Sequence, residues 1–464
     1  MKKCISSILI ISLIILFSSN IIIRSETQTT YLEIIKITPS NLQKQVSVYS
    51  AIIIKADYPI IKGVSFGLIN LWDSKNAKVP LKVVIKSDTL IIQPSIKLEY
   101  LSEYHLCVPR DAVSDSRGKT FEKPILLTFQ TSKLVPPSPQ YMGRFDFSDK
   151  AGAVLDWPGS TIRGRFKGNT VSVKMLATDG ESWFQVIIDG KTFPPIRVTN
   201  KSTEILISNK LKMGPHKIEL IKRTEASVGN AIFRGFVYKN GIELPPDLFL
   251  ERKIEFIGDS IMCGYGNESL DPTRKFTPRN ENNYYSFSSV AARQLRAEQV
   301  TVAKSGMGIF PTKNVPKGIL DFYSRTVCEV EKNSWNFKSW FPHVVVINMC
   351  ANDLKTSPFP SPKRFVEEYL KLIKKVRSNY VNAYIICTYG IRLSVDGEAY
   401  AKKNIEAAVE NMKVHGDKKI VSFRFPPQDT KKNGAGEEFH PSKATHQEMA
   451  NMLAEEIKKL LNWS

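Results

Sequence analysis

The chain has 464 residues, 42% hydrophobic and 24% charged. This is ordinary globular composition, long enough for about three domains, and it excludes a wholly disordered, collagenous or coiled-coil chain. Lys and Arg outnumber Asp and Glu by 65 to 45, a net charge of +20 that opens three classes of partner: nucleic acid, an anionic surface or a cell wall.

Lys2 and Lys3 precede an apolar run over residues 5–17, and a small polar stretch leads to Ser25. Basic start, apolar middle and small residue at the cut predict a secretory signal peptide over residues 1–25, hence a secreted or cell-surface protein. The alternative is an uncleaved anchor, for which the run is short although Ile21, Ile22 and Ile23 lengthen it. Three of the twenty net positive charges, Lys2, Lys3 and Arg24, leave with this segment, and +17 remains. Cys4 lies in it; the other five cysteines cannot all pair, and Cys350 and Cys387 sit in apolar runs as buried thiols do. No Cys-X-X-Cys pair occurs, and neither a metal site nor a cofactor is expected.

Pro-rich breaks at residues 135–139 and 244–247 read as linkers. The first segment, residues 30–133, is expected to be all β, with β-type runs at residues 46–54, 81–85, 89–93 and 126–131 and a turn at Asp115-Ser116-Arg117-Gly118. The second, residues 140–246, has alternating runs at 162–166, 171–175, 183–188 and 214–220 and a hairpin signal at Asp189-Gly190, which predicts a second β-sandwich. The third, residues 250–464, changes character. Apolar strands at 254–257, 300–303, 344–349, 383–387 and 420–423 alternate with amphipathic helices at about 286–295, 362–378, 399–414 and 444–461. Phe365, Tyr369, Leu370 and Ile373 mark the buried face of one helix. Alternation of this kind predicts a three-layer α/β domain whose parallel sheet carries its site beyond the C-terminal strand ends.

Four blocks fall at those strand ends. Ser260, in Gly258-Asp259-Ser260, can attack an ester if a base removes its proton. Gly306 and Gly308 let backbone approach a ligand closely. Asn352 can donate its amide to developing negative charge, although either Asn352 or Asp353 equally suits a helix N-cap. His440, between the last strand and the last helix, suits a general base. Each block alone reads as easily as a turn, a flexible loop, a cap or a surface histidine. Their order along one sheet resembles the SGNH (GDSL-like) hydrolases across the whole third segment.

A narrower resemblance rests on Phe256-Ile257-Gly258-Asp259-Ser260-Ile261-Met262-Cys263-Gly264-Tyr265-Gly266, Glu281-Asn282, Ser305-Gly306-Met307-Gly308, the Trp340 to Asn348 run and His440-Pro441-Ser442 through Ala450. These are similar to carbohydrate esterase family 2, and Trp157-Pro158-Gly159-Ser160 with Asp189-Gly190 resembles that family's N-terminal jelly roll. Ile37-Thr38-Pro39, Tyr104-His105-Leu106-Cys107-Val108-Pro109 and Leu127-Thr128-Phe129-Gln130-Thr131 resemble bacterial Ig-like domains, usually spacers or adhesion modules. The family resemblance implies metal-free deacetylation of O-acetylated plant polysaccharides such as xylan and glucomannan. It makes Ser260 the nucleophile and His440 the base, and builds the oxyanion hole from the Ser260 N–H, a glycine N–H and Asn352, with spacing favouring Gly308 over Gly306. Phe439 stands where the family places a sugar-contacting aromatic, and Asp259 is expected to line the substrate site.

Two places depart from the family pattern. Cys350-Ala351 replaces the usual Gly-X before Asn352. The acid expected to orient His440 is an aspartate two or three residues earlier; Glu438 and Glu437 stand there, so the orienting group is the Glu437 carboxylate or the Glu438 carbonyl. His446 reads as structural and Cys263 as packing. Two other functions remain open: a carbohydrate-binding or adhesion protein with a weak esterase domain, or a GDSL lipase on longer acyl chains. Neither a basic helix nor an aromatic–basic RNA signature is present, so no nucleic-acid partner is expected. The basic excess then reads as affinity for anionic cell walls or acidic polysaccharides, and a membrane enters only if the N-terminal segment is retained.

Overall fold

Alternation of period two shapes the first β region. Every second side chain of Ile52–Ala56 and of Thr89–Pro94 is buried, so one face of each strand feeds a core. In this computed structural model residues 30–46, 48, 50–131, 138–313 and 315–463 are described, and the segment read as a signal peptide lies outside them. The chain forms two compact units, residues 1–134 and 135–464. In the first, Ile34–Thr38, Ile52–Ala56, Thr89–Pro94 and Leu81–Lys86 make one sheet. A second sheet holds Gln43–Val46, Ile125–Thr131, Glu103–Val108, Asn70–Asp73 and Lys78–Val79. Ile54, Leu90 and Ile92 from the one sheet share a core with Leu71, Leu106 and Phe129 from the other. The β-type run over residues 46–54 is therefore not one strand: its two ends belong to different sheets. The Asp115 carboxylate closes the expected turn by accepting the Arg117 and Lys119 N–H groups, and Gly118 supplies φ +81° there.

The second unit begins with another sandwich. Gln140–Met142, Thr161–Gly168, Gly214–Lys222, Ser182–Ile188 and Lys191–Val198 lie in one sheet, with Ile242–Glu243 against Thr161–Gly168. Ala153–Leu155, Ala231–Val237, Val171–Leu176 and Glu204–Ser208 form the other. Asp189 and Gly190, at φ +52° and +78°, make the predicted two-residue hairpin.

The α/β region follows. Strands β1 (Arg252–Gly258), β2 (Ala297–Ala303), β3 (Val344–Asn348), β4 (Tyr384–Tyr389) and β5 (Ile420–Arg424) pair in parallel in the order β2-β1-β3-β4-β5. Every residue of β3 is buried, which is why it reads as an unbroken apolar run rather than an alternating one. Among the helices are α1 (Ser260–Cys263), α2 (Phe287–Gln294), α3 (Pro362–Asn379), α4 (Val395–Val414) and α5 (Lys443–Leu461), with short turns of helix at Ile319–Tyr323 and Thr430–Asn433. In α3 Ser361 caps the N-terminus by accepting the Arg364 N–H, and Phe365, Tyr369, Leu372, Ile373 and Val376 form the buried stripe, Leu370 lying at its edge. Helices α3 and α4 cover one face of the sheet and α2 and α5 the other. The strand order reverses at β1, and such sheets open a ligand crevice at that point.

The second Pro-rich break does not separate independent bodies. The Leu244 N–H donates to the Arg165 carbonyl, the Arg165 guanidinium donates to the Pro245 carbonyl, and Asp247 pairs with Lys217, so the segment is laid along the sandwich. Arg144 of the sandwich, 0% exposed, donates to the Tyr323 and Arg325 carbonyls and to Glu255 of β1 at 3.0 Å. Trp157, also 0% exposed, sits in the core under the parallel sheet. Gly159 approaches so closely at φ +76° that a Cβ there would lie 2.5 Å from the Asn283 Oδ1. Proline marks a turn in chain direction here, not an end of packing. Among the described residues no helix is long and apolar enough to cross a membrane.

Candidate active site

The site is assembled from strand ends. After β1, Asp259 caps α1 through the Ile261 N–H at 3.0 Å, and Ser260 takes the first helical position, where a backbone N–H has no intrahelical acceptor. After β2 come Ser305 and Gly306; after β3, Asn352; after β4, Arg392; after β5, His440. Ser260, Gly306, Asn352, Arg392 and His440 all line one cavity of about 280 Å³.

The chain before His440 folds back on itself. Glu438 and Phe439 take φ +48° and +59°, values uncommon outside glycine. This turn sets the Glu437 carbonyl 3.0 Å from both the backbone N and the Nδ1 of His440. A carbonyl can only accept, so Nδ1 carries the proton and Nε2 presents its lone pair to the Ser260 Oγ, 3.0 Å away. The Tyr265 ring stacks on the imidazole at 4.1 Å between centroids. Burial, and then the positive charge of Arg392, hold the His440 pKa well below the usual imidazole value.

The expected orienting groups, the Glu437 carboxylate or the Glu438 carbonyl, are corrected by this geometry. The Glu437 carboxylate, 0% exposed, points away and accepts from the Thr277 N–H and hydroxyl and the Asn280 amide; its carbonyl, not that of Glu438, meets His440. The Glu438 carboxylate accepts from the Tyr265 hydroxyl and Lys275, both of which pull its pKa down, while its carbonyl accepts from Arg392.

The preference for Gly308 is likewise corrected. Gly306, at φ +78°, lines the cavity, whereas Gly308 does not, and a Cβ there would lie 2.5 Å from the Asp353 Oδ1. Gly308 serves the close approach of Asp353, whose carboxylate accepts the Ile309 and Phe310 N–H groups and is pushed up to about 6 by burial. The Asn352 Nδ2 donates to the Met307 carbonyl at 2.9 Å and to the Asp259 Oδ2 at 3.2 Å. Asp259 therefore does not line the cavity as expected: it is buried behind Asn352, and burial raises its pKa to about 7. Phe439 is 57% exposed and lies beside the cavity without lining it.

Cys350 stands where the resemblance puts glycine and adopts φ +148°, so the backbone keeps a glycine-like conformation without the residue. Cys263 is buried, with its thiol pKa pushed well up. His446 is buried, accepts the Phe287 N–H at 3.2 Å through Nδ1, and its pKa falls to about 3, which keeps it neutral. Neither reaches the cavity. Among the described residues the five cysteines are all free thiols. Tyr265, Ser305, Lys355 and Arg392 also line the cavity and were not singled out from the sequence. Arg392 follows the fourth predicted strand, and its place at a strand end was the available signal.

A serine–histidine pair at the C-terminal ends of a parallel sheet, faced by a glycine and an asparagine, defines the class of GDSL-like acylhydrolases. Family models agree with that architecture: GDSL-like lipase/acylhydrolase matches residues 254–453, carbohydrate esterase 2 N-terminal matches 141–247, and bacterial Ig-like domain matches 28–131. A family two carbohydrate esterase from Clostridium thermocellum, solved with cellohexaose, is 41% identical; the match covers 70% of this chain and 99% of that one, with a TM-score of 0.68. The chain belongs to carbohydrate esterase family 2. It is also 41% identical over 329 residues to the cellulase/esterase CelE of Acetivibrio thermocellus, covering 70% of this chain but spanning only 40% of that protein's length. An acetylxylan esterase / glucomannan deacetylase of Cellvibrio japonicus is 24% identical over 331 residues, 70% of this chain and 90% of that one.

Proposed function

We propose that this protein is a secreted or cell-surface O-acetyl esterase acting on acetylated xylan- or glucomannan-type polysaccharide through a Ser260–His440 dyad. The observation that carries the reading is the 3.0 Å contact of His440 Nε2 with Ser260 Oγ beside Gly306 and Asn352. His440 takes the Ser260 proton, Oγ attacks the acetyl carbonyl, and the C=O electrons become an oxyanion. The Ser260 N–H, the Gly306 N–H and the Asn352 amide stabilise that charge. Both Asn352 amide hydrogens are engaged, so the oxyanion shares or displaces the longer bond, the one to Asp259. The intermediate collapses, the sugar oxygen leaves with the proton from His440, and water activated by His440 then releases acetate from Ser260. No metal or cofactor has a part in these steps.

The cavity of about 280 Å³ suits a small acyl group, and Lys355 and Arg392 in its wall suit chains that also bear acidic groups, in keeping with the basic excess of the chain. Acetate release from acetylated xylan and glucomannan tests the reading. Wild type should release acetate, and Ser260→Ala should lose at least about 10⁴-fold in kcat while keeping its unfolding midpoint. Undiminished turnover by Ser260→Ala, or sugar binding by a wild type that releases no acetate, overturns it. A rate optimum at butyrate to octanoate among p-nitrophenyl esters would assign the site to longer acyl chains instead.

A further inference from the structure

Behind the cavity lies a buried polar cluster for which the reaction above has no use. Lys222 and Glu225 come from the end of the sandwich strand Gly214–Lys222 and the turn after it; Cys263 ends α1; Glu281 lies between α1 and α2; Ser305 follows β2. Lys222, Glu225, Cys263 and Glu281 are each 0–1% exposed. One ligand-type atom each from Glu225, Cys263 and Glu281 lies within 4.8 Å of the others. Lys222 already places a cation there: its Nζ donates to the Thr224 carbonyl at 2.7 Å and the Glu225 carbonyl at 3.3 Å, and burial brings its pKa down to about 8. Among the described residues the Glu281 Oε1 has no hydrogen-bond partner, and burial, then the neighbouring Glu225, push that carboxyl well up.

The cluster reaches the cavity through Ser305. The Ser305 N–H donates to the Glu225 Oε2 at 2.6 Å, and the Glu225 N–H donates to the Glu281 Oε2 at 2.9 Å, which fixes the Glu225 backbone. On the far side of the next peptide, the Gly306 carbonyl accepts from the Thr312 hydroxyl at 2.8 Å. The peptide that carries the Gly306 N–H is therefore held between two anchored neighbours, at a glycine whose missing Cβ allows φ +78° and leaves the backbone otherwise free. Buried ionic groups are a poor source of net stability, since apolar residues of similar volume often serve as well. Geometric control of a donor is a reason to retain them.

We propose that Glu225 is a positioning residue for ester hydrolysis: from the sandwich, across to the hydrolase, it fixes the Ser305–Gly306 backbone so that the Gly306 N–H meets the oxyanion. The inference rests on the acyl-transfer reading above. The test compares wild type, Glu225→Ala and Glu225→Gln in the full chain, with kcat and KM on p-nitrophenyl acetate expressed per Ser260 labelled by diethyl p-nitrophenyl phosphate, so that unfolded molecules are not counted. Glu225→Ala should lose about 10- to 100-fold in kcat with KM unchanged, the scale of an ångström-sized misplacement. The phosphylation rate should fall in parallel, because the phosphoryl oxygen occupies the same hole. Glu225→Gln keeps an oxygen acceptor for Ser305 and should restore most of both rates. An active wild type with an undiminished kcat for Glu225→Ala overturns the positioning role alone. Equal losses in Ala and Gln with a raised KM overturn it as general disruption. A wild type inert towards esters overturns the acyl-transfer reading and this inference with it.

Discussion

The molecule carries two β-sandwiches of similar size whose buried residues keep different company. The first draws its core from its own strands, with Ile54, Leu90, Leu106 and Phe129 in one closed cluster. The second has such a core too, around Val173, Phe184 and Leu220, yet it also lends Trp157 and Ala226 to the core beneath the parallel sheet. It sends Arg144 to Glu255, and Asp156 accepts the Cys328 N–H at 2.9 Å. Composition and strand pattern do not separate the two. What differs is the company of their buried charges. Arg144, with no exposed surface, finds its partners outside its own sandwich, and that match makes one sandwich part of the hydrolase.

The sharpest way to break this contrast is Arg144→Ala, which strands Glu255 in the core. A loss of about 3–5 kcal/mol is expected, read as one cooperative urea transition shared by the second sandwich and the hydrolase. Two separate transitions would show the second sandwich to unfold apart from the hydrolase. Ile54→Ala opens a cavity in the first core and should cost about 2–5 kcal/mol of that unit's stability, with the rate of acetate release unchanged. A smaller effect concerns the proton. As the proposed base, His440 must be neutral to act, and its lowered pKa is expected to put the acid limb of the kcat/KM profile below pH 6.5. Arg392→Gln removes a charge that lowers this pKa and should move the limb upward. A downward shift or none would show that Arg392 does not act on His440. Removing residues 30–134 should leave both kcat/KM and the position of that limb as they were. A change in either would mean that the first sandwich also reaches the chemistry.

The parallel sheet was legible because its strands are apolar runs buried on both faces and its helices repeat at 3.6 residues. Ser260, Asn352 and His440 were legible because each is a polar side chain at a strand end. The errors fall where backbone rather than side chain does the work. Spacing could not tell Gly306 from Gly308, because which glycine meets the cavity depends on Asp353 packing against Gly308. The group that orients His440 is a carbonyl, and every residue has one, so the glutamates at positions 437 and 438 drew the eye to the wrong atoms. Glu225 and Arg144 were silent for another reason. Their partners, Ser305 and Glu255, lie 80 and 111 residues away, beyond any local pattern.

The buried Arg144–Glu255 pair also imposes a schedule. Ribosomes deliver the chain from its N-terminus at about 5–20 residues per second, so Arg144 emerges about 6–22 seconds before Glu255 exists to meet it. Through that interval the Arg144 guanidinium has no partner carboxylate and, at Trp157, the indole has no core to enter, while the rest of the sandwich is still being made. The first half of the ion pair waits for β1, and the time it waits is written in the length of chain between the two.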